Sequence, residues 1–298
     1  MQQAHAVWHY GGGTLEPSAF ACEPFYLKTR NEMTNTKQHV VWITGASSGI
    51  GKAMAFEWAR LGYKVALSSR RREILDTVAN EIKNSGGEVL VIPCDIMEET
   101  SIQNAVQQII FTWGRLDVAV ANAGFGVVGG IDKLTAADWN RQLQGNVTGL
   151  ALTIKYALPH LKQNSGRIGL VGSVGAYVPN PNMGAYGASK AAVNSIGLTL
   201  QVELMGTGVS CTTMHPGFVV SEIARIDNQG MWHPERQDPR PVNLLWPTEK
   251  AAKVMVQAML KRKKNYVFTT HGKVLVWLQR WFPGLTRLII SKSPKPDS

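Results

Sequence analysis

The sequence predicts one α/β domain of the Rossmann type: a doubly wound parallel sheet of about seven strands, covered by helices on both faces. Three observations carry this expectation. Short apolar runs of about five residues alternate with helical stretches of ten or more, which is the spacing of βαβ units. A glycine-rich turn follows the first run and opens the first helix, the place where α/β sheets take a nucleotide. Across 298 residues no linker separates two cores, and that length suits one large domain.

The elements follow in order. Residues 39–43 (HVVWI) are apolar without alternation, as expected of a strand buried on both faces. A helix is expected over 50–61, a strand over 64–68 and an amphipathic helix over about 73–83. Strands at 88–92 and 116–120 flank a helix at about 99–113. The second half continues with helices over about 136–162, a strand at 167–172, a long helix at 184–205 and a strand at 208–214. A Pro-rich irregular segment (222–247) precedes a helix at 248–262 and a short strand at 266–268.

Residues 1–36, with Gly11-Gly12-Gly13, show no sustained period and read as a poorly ordered extension, with Met33 a candidate start of the compact protein. The Rossmann-type domain is expected over 37–271, with a basic, apolar tail over 272–298. Three cysteines far apart form neither a CxxC pair nor a metal-ligand cluster, so no metal is expected and a reduced, cytoplasmic setting is. No run of 18 apolar residues spans a membrane. The formal charge of +10 is local: residues 261–298 hold nine Lys/Arg against one acid, and the other 260 hold 22 against 20. A nucleic-acid partner would need basic residues spread over a folded module, so none is expected.

After the first strand comes Thr44-Gly45-Ala46-Ser47-Ser48-Gly49-Ile50-Gly51. Small residues here let backbone N–H groups and a helix N-terminus approach a pyrophosphate. The second strand ends in Ser68-Ser69-Arg70-Arg71-Arg72, without the acid that accepts from ribose hydroxyls in NAD sites. A guanidinium can pair with a 2′-phosphate instead, so NADP(H) is the expected cofactor, with Arg70 as the phosphate ligand and Arg71 and Arg72 as a solvated helix start. Asp95, just after the third strand, has two readings: acceptor for the adenine amino group, or a turn cap.

Tyr186 and Lys190 stand four apart on a helix and share one face. An ammonium beside a phenol favours the phenolate, making the hydroxyl usable as an acid or base near neutrality. Ser173, after the 167–172 strand, can face Tyr186 across a cleft. Tyr177 is a rival tyrosine, but no lysine follows it at the same spacing.

With these motifs the chain resembles the short-chain dehydrogenase/reductase family over about residues 38–270. The motifs run in order: TGASSGIG (44–51), Asn122-Ala123-Gly124, Asn146, Ser173, Tyr186-x-x-x-Lys190 and Pro216-Gly217. The resemblance implies a catalytic set of Asn146, Ser173, Tyr186 and Lys190. Tyr186 would exchange the proton with the substrate oxygen and Ser173 would hydrogen-bond that oxygen. Lys190 would bind the nicotinamide ribose, and Asn146 would anchor a water leading to solvent; Asn146 as a plain helix cap is the competing reading. It further implies Gly45, Ser47, Ser48, Gly49, Ile50, Gly51, Asn122, Ala123, Gly124, Pro216, Gly217 and Ser221 at the cofactor. Ser221 stands where the family usually has threonine. His215 precedes the proline where asparagine or arginine is commoner, and no function attaches to it.

The segment 222–247 falls where the family keeps a loop over the substrate. Ile223, Ile226, Met231, Trp232, Leu244, Leu245 and Trp246 either wall a pocket or pack the loop down, with Gly126 to Val128 and Val178 to Met183 as further walls. No charged residue there obviously awaits a carboxylate or phosphate, so a bulky apolar carbonyl or secondary alcohol, lipid-, steroid- or 3-oxoacyl-like, is the expected substrate. The tail joins Trp277, Trp281 and aliphatics to Lys/Arg, a composition suited to an anionic bilayer surface. Docking on its own domain or on a second subunit stands beside that reading, and a homo-oligomer is expected. A cofactor-binding sensor that kept the fold and lost turnover is the rival function; the intact Ser173, Tyr186 and Lys190 argue against it.

Overall fold

A computed structural model describes residues 39–236, 238 and 240–291. The N-terminal extension and the last seven residues of the tail lie outside these. The strands are β1 (Val40–Thr44), β2 (Lys64–Ser69), β3 (Val89–Pro93), β4 (Val118–Ala121), β5 (Arg167–Val171), β6 (Ser210–His215) and β7 (Asn265–Val267). They form one sheet in the order β3-β2-β1-β4-β5-β6-β7, every pair parallel.

The apolar runs follow from burial on both faces. Val41 and Ile43 of β1 point into the layer filled by helices α1 (Gly49–Arg60), α2 (Arg72–Asn84) and α7 (Thr248–Leu260), through Met54, Trp58, Leu75 and Met255. Val40 and Trp42 point the other way, against α3 (Glu99–Trp113), α5 (Gly149–Gln163) and α6 (Gly184–Glu203), through Ile109, Leu161 and Val193. The buried Trp42 indole donates to Ser68 Oγ at 2.9 Å, so its N–H is not left unpaired. At the foot of the sheet the buried Asp117 carboxylate accepts from Val40 N and from both arms of Arg115, and these partners hold it below the usual carboxylate range although burial opposes them.

Two features add detail to the sequence reading. The helical stretch 136–162 is two helices, α4 (Ala136–Leu143) and α5, joined through a π-helical turn, Gln144–Thr148, that surrounds Asn146. The tail folds into α8 (Thr270–Trp281) and α9 (Pro283–Ser291), whose large side chains stay outside the core: Trp277, Trp281, Phe282, Leu285, Leu288 and Ile289 are all exposed. Among the described residues no helix is long and apolar enough to cross a membrane. Because the chain runs outward from β1 in opposite directions, to β2 and to β4, a crevice opens at the carboxyl ends of these strands, where such sheets take ligands.

Candidate active site

Gly45 and Gly49 adopt φ of +67° and +53°, a left-handed backbone that favours glycine. A Cβ on Gly51 would strike the Gly45 carbonyl and come within 2.5 Å of the Asn122 amide nitrogen, so only glycine lets α1 begin this close to the sheet. Asn122 fixes that approach: its Nδ2 donates to the carbonyls of Thr44 at 2.8 Å and Gly45 at 3.1 Å, while Thr44 Oγ1 accepts from the N–H groups of Asn122 and Ala123. Ser48 at the N-cap of α1 makes no side-chain cap bond. The helix N-terminus is thus bare of a local anion and opens on the crevice, and the cradle fits a pyrophosphate.

All the expected cofactor positions, Gly45, Ser47 through Gly51, Arg70, Asp95, Asn122 to Gly124, Pro216, Gly217 and Ser221, line this one crevice together with Ser173, Tyr186 and Lys190. The Asp95 carboxylate caps the turn by accepting from Met97 N at 3.0 Å, one of its two readings, and the residue borders the crevice. Arg70 is exposed at the rim. Arg71 departs from the solvated helix start expected of it. Its guanidinium folds back over the glycine loop, donating to Ser47 Oγ at 3.0 Å and Ser48 Oγ at 3.1 Å, and reaches Glu222 at 3.4 Å.

At the chemical end, α6 carries Tyr186 and Lys190 on one face. Lys190 is buried, donates to the Val171 carbonyl at 2.9 Å and lies 5.7 Å from the centre of the Tyr186 ring; burial pushes it down to about 8. Burial also raises the Tyr186 phenol, against a hydrogen bond from the Ser173 side and the positive charge of Arg240, which both lower it. Lys190 is not among the groups that lower it, so the depression expected from the lysine does not arise here, and the phenol holds its proton at neutral pH. Ser173 Oγ accepts from Gly175 N at 3.0 Å, which aims the hydroxyl into the crevice beside Tyr186.

Asn146 lies behind the crevice rather than on its surface. Its side chain caps no helix: Oδ1 accepts from Phe125 N at 3.0 Å, and Nδ2 donates to Phe125 O at 2.9 Å and Ser189 Oγ at 3.0 Å. A Cβ on Gly124 would sit 2.9 Å from Asn146 Oδ1 and 3.6 Å from Lys190 Nζ, so glycine there lets the β4 loop lie directly on these groups.

The 222–247 segment closes over the outer end. Ile223, Ile226 and Trp232 wall the crevice, whereas Trp246 packs down on the domain edge-to-face with Phe268, and Met231 stays exposed. Asn228 ties the loop to the body by accepting from Val128 N at 2.9 Å and donating to Val128 O at 2.8 Å. A charged residue is present after all: Arg240 borders the crevice. It is already engaged, by Asp238 through both arms and by the Val219 carbonyl at 3.0 Å and Ser221 Oγ at 3.2 Å. Sequence reasoning missed Arg71, Asn228 and Arg240. The partners of Arg71 and Asn228 are distant in the chain, Arg240 pairs with Asp238 two residues away as well as with Val219 and Ser221, and a basic or amide residue in a polar loop carries no period that would point to any of them.

The family model for short chain dehydrogenase matches residues 39–232. An 11-beta-hydroxysteroid dehydrogenase A of Sesamum indicum is 32% identical over 255 residues, covering 82% of this chain and 72% of that protein. Among solved structures, an alcohol dehydrogenase from the archaeon Thermococcus sibiricus, complexed with 5-hydroxy-NADP, superposes with a TM-score of 0.69 at 27% identity, over 78% of this chain and 97% of its own. A 3-ketoacyl-ACP reductase from Sinorhizobium meliloti 1021 gives a TM-score of 0.69 at 29% identity, over 79% and 99%.

Proposed function

The chain belongs to the short-chain dehydrogenase family, an NAD(P)(H)-dependent oxidoreductase of carbonyl and alcohol groups, and we propose that it prefers NADP(H) and acts on a bulky apolar ketone or secondary alcohol. The end of β2 carries this reading. Ser69 stands where an acid would select NAD, and Arg70 and Arg71 offer two guanidinium groups at the same rim. The relative from Thermococcus sibiricus, described with an NADP derivative, supports the assignment.

When bound, the nicotinamide supplies or accepts the hydride. The protein's own groups do the rest. Tyr186, protonated at neutral pH, donates its proton to the substrate oxygen during reduction and takes it back in oxidation. Ser173 holds that oxygen with the hydroxyl that Gly175 orients. Lys190, anchored to the Val171 carbonyl, would hold the nicotinamide ribose, and Ser221 the nicotinamide amide. Both Nδ2 hydrogens of Asn146 and one lone pair of its Oδ1 are taken up by Phe125 and Ser189, so the side chain braces the loop after β4 behind the crevice.

An apolar substrate follows from the walls. Ile223, Ile226 and Trp232 present hydrocarbon, and the Arg240 charge is neutralised by Asp238 instead of awaiting an anion. The steroid and 3-ketoacyl activities of the relatives fit a substrate of this kind. The test is a rate screen with NADPH and NADH over steroid ketones, 3-oxoacyl thioesters and small hydroxy or oxo acids. Turnover only of the small acids, or a preference for NADH, overturns the reading, and tight cofactor binding without turnover of any substrate favours the sensor.

The tail extends the proposal to a membrane surface. The exposed Trp277, Trp281, Leu285, Leu288 and Ile289 on α8 and α9 lie among Lys273, Arg280 and Arg287, the pairing of apolar and cationic groups that an anionic bilayer takes up. The full chain should co-sediment with anionic vesicles, less so at high salt, and a chain ending at 271 should not. Loss of a dimer on truncation, with no vesicle binding by either form, assigns the face to a second copy instead.

A further inference from the structure

His215 is the last residue of β6, wholly buried, and lies behind the catalytic serine rather than in the crevice. Beyond Val171 the β5 chain still runs along β6, through Gly172 N donating to Met214 O and Val174 N donating to Pro216 O. Pro216 has no N–H to give back. The imidazole supplies a donor at this point, with Nδ1 3.1 Å from the carbonyl oxygen of Ser173. The close fit is built in, since a Cβ on Gly172 would come within 2.6 Å of Nδ1.

The partners on both sides fix the tautomer. A carbonyl can only accept, so Nδ1 carries the hydrogen and Nε2 is the acceptor, 3.2 Å from the Tyr177 hydroxyl, whose one hydrogen is shared between this nitrogen and Asn194 Oδ1 at 2.8 Å. Burial pushes His215 down to about 4, so the ring is neutral at ordinary pH. Tyr177 meets the ring edge-to-face at 4.9 Å between centroids. Asn265 Nδ2 donates to the Tyr177 oxygen at 3.0 Å and also to Asn194 Oδ1 at 3.0 Å. The chain thus runs from α6 and β7, through Tyr177 and His215, to the backbone of Ser173. It contains the rival tyrosine and the odd residue before Pro-Gly, neither of which the proton transfer uses.

We propose that His215, locked by Tyr177, is a positioning residue that sets the Ser173 backbone so that its hydroxyl faces Tyr186. The inference rests on Ser173 and Tyr186 as the reacting pair. Two residues past the end of β5, the Ser173 carbonyl accepts from Ala176 N at 3.0 Å within its own turn and from the His215 ring, so the imidazole adds an anchor from β6 to the one the turn provides. Catalytic geometry is sensitive at this scale, a displacement near 1 Å costing on the order of 100-fold.

The test compares three variants. His215→Asn keeps an amide donor at the place of Nδ1, His215→Leu removes both contacts, and Tyr177→Phe frees Nε2 but leaves Nδ1. With any ketone that the unaltered enzyme reduces, His215→Leu should lower kcat roughly ten- to hundredfold with little change in KM, and His215→Asn should recover most of that loss. A second readout needs no turnover. Titration of tyrosinate absorbance, taken as the difference between each chain and its Tyr186→Phe counterpart, should rise in His215→Leu, because the phenol loses the Ser173 hydrogen bond that lowers it. If the unaltered chain reduces nothing, the dehydrogenase reading fails, and this titration still decides the positioning role. An unchanged titration in a folded His215→Leu chain overturns the proposal. Should that chain not fold, Tyr177→Phe decides: a shift in the same direction supports the role, and no shift refutes it.

Discussion

Replacing Arg71 by Ala probes the cofactor end through contacts that can be weighed one by one. The guanidinium spans the Ser47 and Ser48 hydroxyls and the Glu222 carboxylate, with 36% of the side chain open to solvent. A hydrogen bond to a charged group contributes ~1.5–3 kcal/mol, and this exposure brings a phosphate contact toward the lower end. Giving up Glu222 to take a 2′-phosphate costs ~0.2–1 kcal/mol, the range for an exposed ion pair. The net of ~1 kcal/mol corresponds to a roughly fivefold weaker Kd for NADPH, since 1.4 kcal/mol is tenfold. NADH has no 2′-phosphate, so its Kd should barely move. Quenching of tryptophan fluorescence by each cofactor measures both constants, and the NADPH advantage should shrink as salt is raised. Glu222→Gln removes the competitor and should tighten NADPH. Equal weakening of both cofactors in Arg71→Ala would refute the phosphate role and leave Arg71 as a brace for the glycine loop.

Three further outcomes follow from the site. Tyr186→Phe should lose nearly all turnover yet bind NADPH normally, whereas Lys190→Ala should lose both; equilibrium binding beside rate measurements separates them. Gly51→Ala places a methyl group against the Gly45 carbonyl and Asn122, so it should abolish cofactor binding and lower stability by ~1–3 kcal/mol, the usual cost of overpacking, read by urea unfolding. His215 adds a dependence on acid. Its folded value of about 4 lies below the ordinary 6.5, so the unfolded chain binds the proton first, and the stability present above pH 6.5 is lost as pH falls towards 4. That span corresponds to roughly 3 kcal/mol. Urea unfolding at the two ends of the window should show a smaller difference in His215→Asn than in the unaltered chain; identical differences would show that His215 does not titrate in this way.

The fold was legible because its signals are local and periodic. Strands such as 39–43 must be apolar on both faces when Val41 and Trp42 enter different layers, and that constraint is written as an uninterrupted run. Gly45, Gly49 and Gly51 were legible for a related reason, since backbone angles and close approach exclude other residues and leave glycine in a fixed pattern. Asn146 was singled out in the sequence, but its surroundings were not legible there. The π-helical turn is one extra residue of slack in a helix whose composition reads as regular throughout.

What escaped the sequence is pairing between segments far apart in the chain. Arg71 and Glu222 are 151 residues apart, Val128 and Asn228 are 100 apart, and Ser173 and His215 are 42 apart. Each contact joins segments that follow or end different strands, and no spacing rule within a single element encodes it. These same contacts tie the site together. Arg71 touches the glycine loop at one end and the first acid of the substrate loop at the other, so the group that would take a 2′-phosphate also holds the lid. A phosphate that draws Arg71 away from Glu222 loosens the loop at its near end while Asn228 keeps its middle on Val128. On the proposed phosphate role, cofactor choice and access to the substrate pocket would share one side chain, and a substitution of Arg71 should act on both.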